Sequence, residues 1–185
     1  HKAVLVANAS SSTAIRSPRP SGPPWQIVSA GAHYEWIDIP WLERLAAHPQ
    51  VRLHIAGPGR GTGFRNLLSL SGVTYHGVLS QSQLNALFQR CHTGVIPFVD
   101  SELTRAVDPI KAYEYAAAGL RVWASPVPGL DTHPCVTDII SDQVSFMQAI
   151  DRLPLPISQR SVPTWADRAR EVLERLTVTR PGESR

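Results

Sequence analysis

From Trp25 onward the chain alternates short apolar runs with amphipathic segments, and this alternation constrains the fold more than any single motif. Residues 26–30, 51–56, 73–76, 93–98, 121–124 and 138–141 read as strands. The first stops at Gly31 and the second at the glycine-rich stretch 57–63. Residues 39–47, 81–91, 108–119 and 144–150 read as helices between them, the second opened by Ser80 with Gln83 three positions on, a capping-box pattern. Strands and helices in strict alternation with short links predict an α/β fold, a Rossmann-like doubly wound parallel sheet. Ligands of such sheets collect beyond the carboxyl ends of the strands. That edge would carry Gly31-Ala32-His33, residues 57–63, Gly77-Val78, 98–107 and 126–130.

The flanks differ in character. Residues 1–8 contain a short apolar run and are expected to be a strand left from a preceding domain, while 9–24 are rich in Ser, Pro and Arg and read as a linker or loop. Residues 25–160 form the predicted Rossmann-like domain. A terminal helix is expected within 161–178, capped by Thr164 and Asp167 with Trp165, Ala169, Val172 and Leu176 as its buried stripe, followed by a tail at 179–185.

Composition narrows the function classes. The net charge is +3 with arginines scattered along the chain, and aromatic residues make up only 7%, so no interleaved Arg/aromatic run suits nucleic acid. No apolar stretch is long enough to span a membrane, and the first seven residues lack the layout of a signal peptide. The chain starts without Met, so a fragment or a processed chain is the expectation. Cys91 and Cys135 stand alone and read as reduced, buried thiols of a cytoplasmic protein.

Residues 108–119 carry the candidate chemistry. Asp108 is placed as the helix N-cap, Pro109 at the first helical position and Gly119 just past the end. First-turn N–H groups and the helix dipole favour an anion, and Lys111 adds a cation there. Only two lysines occur against sixteen arginines, which singles Lys111 out. Glu114 lies one turn deeper on the same face with Tyr115 beside Lys111, while Ile110, Tyr113 and Ala117 form the opposite, apolar face. A cation at the helix mouth and a carboxylate further in suit a ligand with phosphate at one end and hydroxyls at the other, as in a sugar nucleotide. An ordinary surface Lys–Glu pair is the plainer alternative.

Other motifs fail on spacing. After Gly57 and Gly59 a dinucleotide fingerprint needs a third glycine where Thr62 stands, and neither lysine lies in a P-loop. No histidines are paired for zinc, and no Gly-x-Ser-x-Gly elbow occurs, so neither a metal nor a hydrolase triad is expected. His33 follows a strand and a tight turn at the ligand edge, either as a ligand contact or as a plain loop histidine.

In order and spacing, Ile27-Val28-Ser29-Ala30-Gly31-Ala32, Trp36-Ile37-Asp38, residues 51–59, Val73-Thr74-Tyr75-His76-Gly77-Val78, Gly94-Val95-Ile96-Pro97-Phe98 and residues 108–119 resemble the C-terminal, donor-binding half of GT-B glycosyltransferases of group 1. The resemblance implies a nucleotide diphosphate-sugar, UDP- or GDP-linked, as substrate and no cofactor. It places Glu114 on the ribose hydroxyls and Lys111 with the helix start at Asp108 and Pro109 facing the diphosphate. Gly31, Ala32 and His33 would approach phosphate or sugar, with the base near Gly77, Val78, Leu79 and Phe98. Many relatives carry a second glutamate where Ala106 stands, so Asp108, Thr104 and Arg105 are substitutes by location.

The implied activity is a hexosyltransferase-type step of polysaccharide biosynthesis. The acceptor, a glycan or lipid-linked sugar, would be held by an N-terminal domain that 185 residues leave no room for. The implied location is cytoplasmic, with peripheral attachment to the cytoplasmic face of the membrane as an extension of it. The rival reading is a non-catalytic Rossmann-like nucleotide-binding or protein-interaction module.

Overall fold

The computed structural model describes residues 6–10, 19–153 and 162–178. Six strands, β1 (Trp25–Ala30), β2 (Val51–Ala56), β3 (Val73–Tyr75), β4 (Thr93–Ile96), β5 (Arg121–Ala124) and β6 (Asp138–Ile139), make one sheet in the order β3-β2-β1-β4-β5-β6. Every pairing is parallel, and the strand order reverses between β1 and β4. Helices α1 (Ile39–Ala46), α2 (Thr62–Ser69) and α6 (Gln143–Asp151) cover one face, where Trp41, Leu42, Leu45, Phe64, Leu67 and Phe146 pack on Ile27, Leu53, Ile55, Val95 and Trp123. On the other face α3 (Gln81–Arg90) and α5 (Ile110–Ala117) pack Leu87, Phe88, Ala112, Tyr113 and Tyr115 on Val28, Ile96, Val122 and Ala124. The chain is therefore doubly wound, as the alternation predicts.

Two helices have no counterpart in the sequence expectations. α2 grows out of the glycine-rich loop, with Gly61 at its N-cap in the left-handed region at φ 91°. It is anchored by the buried Phe64 and Leu67, with Leu68 packed beside them. The single turn α4 (Glu102–Arg105) lies inside the expected loop and is closed by a Ser101–Thr104 capping box.

The flanks correct two expectations. Of the expected strand at 1–8, the described part, residues 6–8, is not strand, and among the described residues pairing begins at Ser10, which bridges Thr164. The described ends of the 9–24 segment are anchored: Ala9 and Ser10 are buried, and Pro20 O accepts from His92 Nε2 at 2.8 Å. The terminal helix α7 (Trp165–Val178) has the expected Thr164–Asp167 cap, yet of its expected buried stripe Trp165 is 43% exposed and Ala169 is exposed, while Val172 is half-buried. The reason is geometric, because α7 meets the domain through its N-terminal turns, where Arg168 donates to Asn8 O. The side chain of Leu176, the strand part at 1–5, the linker part at 11–18, residues 154–161 and the tail at 179–185 lie outside the described residues.

Candidate functional site

The site is built from α5 outward. Tyr115 seats the helix: it is fully buried, its ring meets Phe88 edge-on at 5.1 Å, and its hydroxyl accepts the Ala30 N–H at 2.8 Å. Gly94 of β4 lies directly under that ring, where a Cβ would come within 2.2 Å of it. Burial pushes the Tyr115 phenol far up, so it stays a neutral hydrogen-bonding group. At the far end Gly119 turns the chain at φ 72°, and the Arg19 guanidinium caps the helix through Ala118 O at 2.7 Å and Gly119 O at 3.0 Å.

The helix start differs from the expectation. Pro109, not Asp108, occupies the N-cap, and no side chain caps the first turn. Asp108 fails as a cap because tertiary partners claim its carboxylate: Asn8 N donates to Oδ2 at 2.7 Å, Tyr113 Oη to Oδ2 at 3.4 Å and His133 Nε2 to Oδ1 at 3.1 Å. The faces are also redistributed. Ala112, Tyr113 and Tyr115 are buried while Ile110 is 39% exposed, so Tyr115 belongs to the core rather than to the face of Lys111. Lys111 and Glu114 do share a face, joined at 2.5 Å with 26% and 15% of their side chains exposed. The uncapped first turn, an ammonium and a mostly covered carboxylate thus stand together beside the point where the strand order reverses.

The loops of the same edge lock one another. Gly31 N donates to Ala56 O at 2.9 Å and Gly57 N to Gly77 O at 2.6 Å. A Cβ on Gly57 would meet Gly31 O at 2.1 Å, so the β1 and β2 turns touch backbone to backbone. The turn after β4 is held against the loop before α1 by Asp38 N to Pro97 O at 2.8 Å, and Phe98 O accepts from Ser125 Oγ at 2.6 Å. Ala32 lies half-buried at this edge, as does Leu79, while Val78 is 75% exposed.

Three candidate side chains are engaged elsewhere. His33 is buried: Nε2 lies 2.9 Å from Ser29 Oγ, the ring stacks on Phe64, and only its backbone reaches the edge, donating to Pro58 O at 2.7 Å. Burial pulls its imidazole down to about 4, so the ring is neutral, and Nδ1 has no partner among the described residues. Thr104 is buried with Oγ1 donating to Val99 O at 2.5 Å, which fixes the α4 turn. Arg105 is exposed and grips Asp100 with two hydrogen bonds of 2.6 and 2.7 Å, holding that carboxyl below its usual range. Cys91 and Cys135 are both buried. No cluster of three metal-ligating side chains occurs among the described residues, and no helix there is long and apolar enough to cross a membrane.

Sequence reasoning missed Gly94, Arg19 and the Asn8–Asp108–His133 contacts. A glycine inside a wholly buried strand was the available signal for the first. The other contacts join residues 25 to 100 positions apart and leave no local trace.

This sheet order and its edge define a doubly wound, Rossmann-like domain. The family of glycosyl transferases group 1 matches residues 33–154, more than half of the chain, and the chain belongs to that family. Among solved structures it is similar to AviGT4, a glycosyltransferase involved in avilamycin A biosynthesis, at 18% identity and a TM-score of 0.52, over 80% of this chain and 45% of that one. It is also similar to the α,α-trehalose 6-phosphate synthase of Burkholderia multivorans, at 16% identity and a TM-score of 0.50, over 83% of this chain and 39% of that one. The chain thus spans less than half the length of these structures. Among curated proteins no sequence matches significantly. The resemblance read from the sequence holds at the level of family and fold.

Proposed function

We propose that this chain is the donor-binding portion of a glycosyltransferase that takes a hexose from a UDP- or GDP-sugar. The observation that carries the proposal is the uncapped start of α5 with Lys111 and Glu114 on one face, at the carboxyl edge where β1 and β4 diverge. Glu114 accepts hydrogen bonds from the ribose hydroxyls. Lys111, released from Glu114, and the first-turn N–H groups meet the diphosphate. The backbone of Gly31, Ala32 and His33 approaches phosphate and sugar, and Gly77, Val78, Leu79 and Phe98 flank the base. Catalysis then rests on orientation and on electrostatic stabilisation of the departing diphosphate.

The acceptor, a glycan or a lipid-linked sugar, is assigned to a separate domain, and the general base to the acceptor side. Polysaccharide biosynthesis at the cytoplasmic face of a membrane is the setting this reading favours. Thermal denaturation with UDP, GDP and ADP tests it. One of the three is expected to raise Tm at micromolar concentration. No shift with any of them would favour a structural Lys–Glu pair in a protein-interaction module.

A further inference from the structure

Asp108 stands immediately before the N-cap of α5, and its carboxylate does not cap the helix it precedes. It collects donors from two remote parts of the chain and from Tyr113 of α5 itself. Asn8 N reaches Oδ2 at 2.7 Å, and Asn8 Nδ2 donates to the Asp108 carbonyl at 2.6 Å, a hundred residues away. Tyr113 Oη lies 3.4 Å from Oδ2. Cys135 N donates to His133 Nδ1 at 3.1 Å, so the ring proton sits on Nε2 and is given to Asp108 Oδ1 at 3.1 Å. His133 in turn meets the Tyr113 ring edge-on at 5.0 Å.

Asn8 itself is tied to α7. Its carbonyl accepts from Arg168 Nε and Nη2, both at 3.4 Å, and two residues on Ser10 N donates to Pro163 O at 3.0 Å beside the Ser10–Thr164 bridge. Residues 6–10 and 162–168 therefore run together along the domain, and Asp108 is their direct link to the start of α5.

We propose that Asp108 is a positioning residue that couples the paired segments 6–10 and 162–168 to the donor helix. Nucleotide at the α5 start and order in those segments then favour one another. The proposal rests on the donor role given above to Lys111 and Glu114. Its physical basis is that a carboxylate with donors on both oxygens fixes the direction in which the chain enters α5, and with it the first-turn N–H groups. Linkage makes the effect reciprocal: what the segments do for the ligand, the ligand does for the segments.

The test uses the whole chain and the variants Asp108→Asn, which keeps the shape but puts an amide N–H₂ against one of the donors, and Asn8→Ala, which removes only the Nδ2 contact. Calorimetric titration with UDP and GDP is expected to show affinity reduced about fivefold or more in Asp108→Asn, the lower range of measured site–site couplings. Saturating nucleotide should slow amide exchange at Ser10 and Arg168 in the wild type and fail to do so in Asp108→Asn. Unchanged affinity together with wild-type slowing at Ser10 in a folded variant overturns the proposal. If Asp108→Asn does not fold, the same two measurements on Asn8→Ala decide in the same way. If the wild type binds neither nucleotide, the donor reading fails, and exchange without ligand still decides the coupling. Asp108→Asn must then speed exchange at both Ser10 and Ala112, and unchanged exchange at Ser10 overturns it.

Discussion

Replacing Tyr115 by Phe removes one oxygen from the centre of the fold and tests how α5 is seated. The hydroxyl is the hydrogen-bond partner of Ala30 N at 2.8 Å, in a side chain with no exposed surface. The β1–β4 pairing reaches only Val28↔Gly94, so β4 offers that N–H no carbonyl. The ring cannot shift to admit another group, because Gly94 supports it from below and Phe88 from the side. The variant therefore leaves a part-buried N–H without its partner, at a cost of about 1–2 kcal/mol. In a chain of this size each kcal/mol lowers Tm by about 2–4 °C. Because Ala30 leads straight into Gly31, loss of the bond also loosens the β1 turn against α5, and affinity for UDP or GDP should fall with stability. Thermal melts followed by circular dichroism measure the first effect and calorimetry the second. Tyr75→Phe is the control, since its hydroxyl reaches Gly57 O at 3.2 Å from an exposed position and should change stability by less than about 0.5 kcal/mol. A Tyr115→Phe variant as stable as that control would refute the seating described here.

Gly94→Ala should be worse than Tyr115→Phe, because a methyl placed 2.2 Å from a ring held at both ends must push α5 off the sheet; urea unfolding is expected to show a loss of about 1–3 kcal/mol or more. Stability should also fall with acid. His33 is held near 4 in the fold against 6.5 unfolded, so the unfolded chain takes up the proton first, and this contribution is full above 6.5 and disappears as pH drops toward 4. It is worth on the order of 3 kcal/mol, and His33→Gln should flatten the slope of unfolding free energy across that window. His54, lowered to about 4 by burial and then by the nearby charge of His76, adds to the fall in the same direction. Lys111→Met should weaken binding of a nucleoside diphosphate more than that of the nucleoside, as separate titrations would show, whereas a purely structural lysine leaves their ratio unchanged.

The sheet was legible in the sequence because each strand is a short apolar run that ends at a turn residue, and β1, β2 and β5 fall within one residue of their expected bounds. The Ser80–Gln83 and Thr164–Asp167 boxes were equally local and both form. What stayed hidden depends on distant partners. A helical wheel cannot tell that Tyr115 rather than Ile110 faces the core, since that is decided by Gly94 and Ala30 on two strands. Asp108 has the right chemistry for a cap, but Asn8 and His133 compete for it and win. Trp165 looks like a core residue until the cover it requires is found missing among the described residues. At the candidate site, Lys111 and Glu114 were readable from their three-residue spacing, whereas the inward turns of His33 and Thr104 were not.

Glu114→Ala with UDP and GDP in a calorimeter tests the central claim most directly. The carboxylate is only 15% exposed and its one described ion pair is with Lys111 on the same helix, so its removal should disturb folding little. Loss of a charged acceptor for the ribose hydroxyls should weaken the bound nucleotide by about 1.5–3 kcal/mol, roughly ten- to more than a hundredfold. A folded Glu114→Ala protein that binds the nucleotide as tightly as the wild type would contradict the account and remove α5 from the donor site.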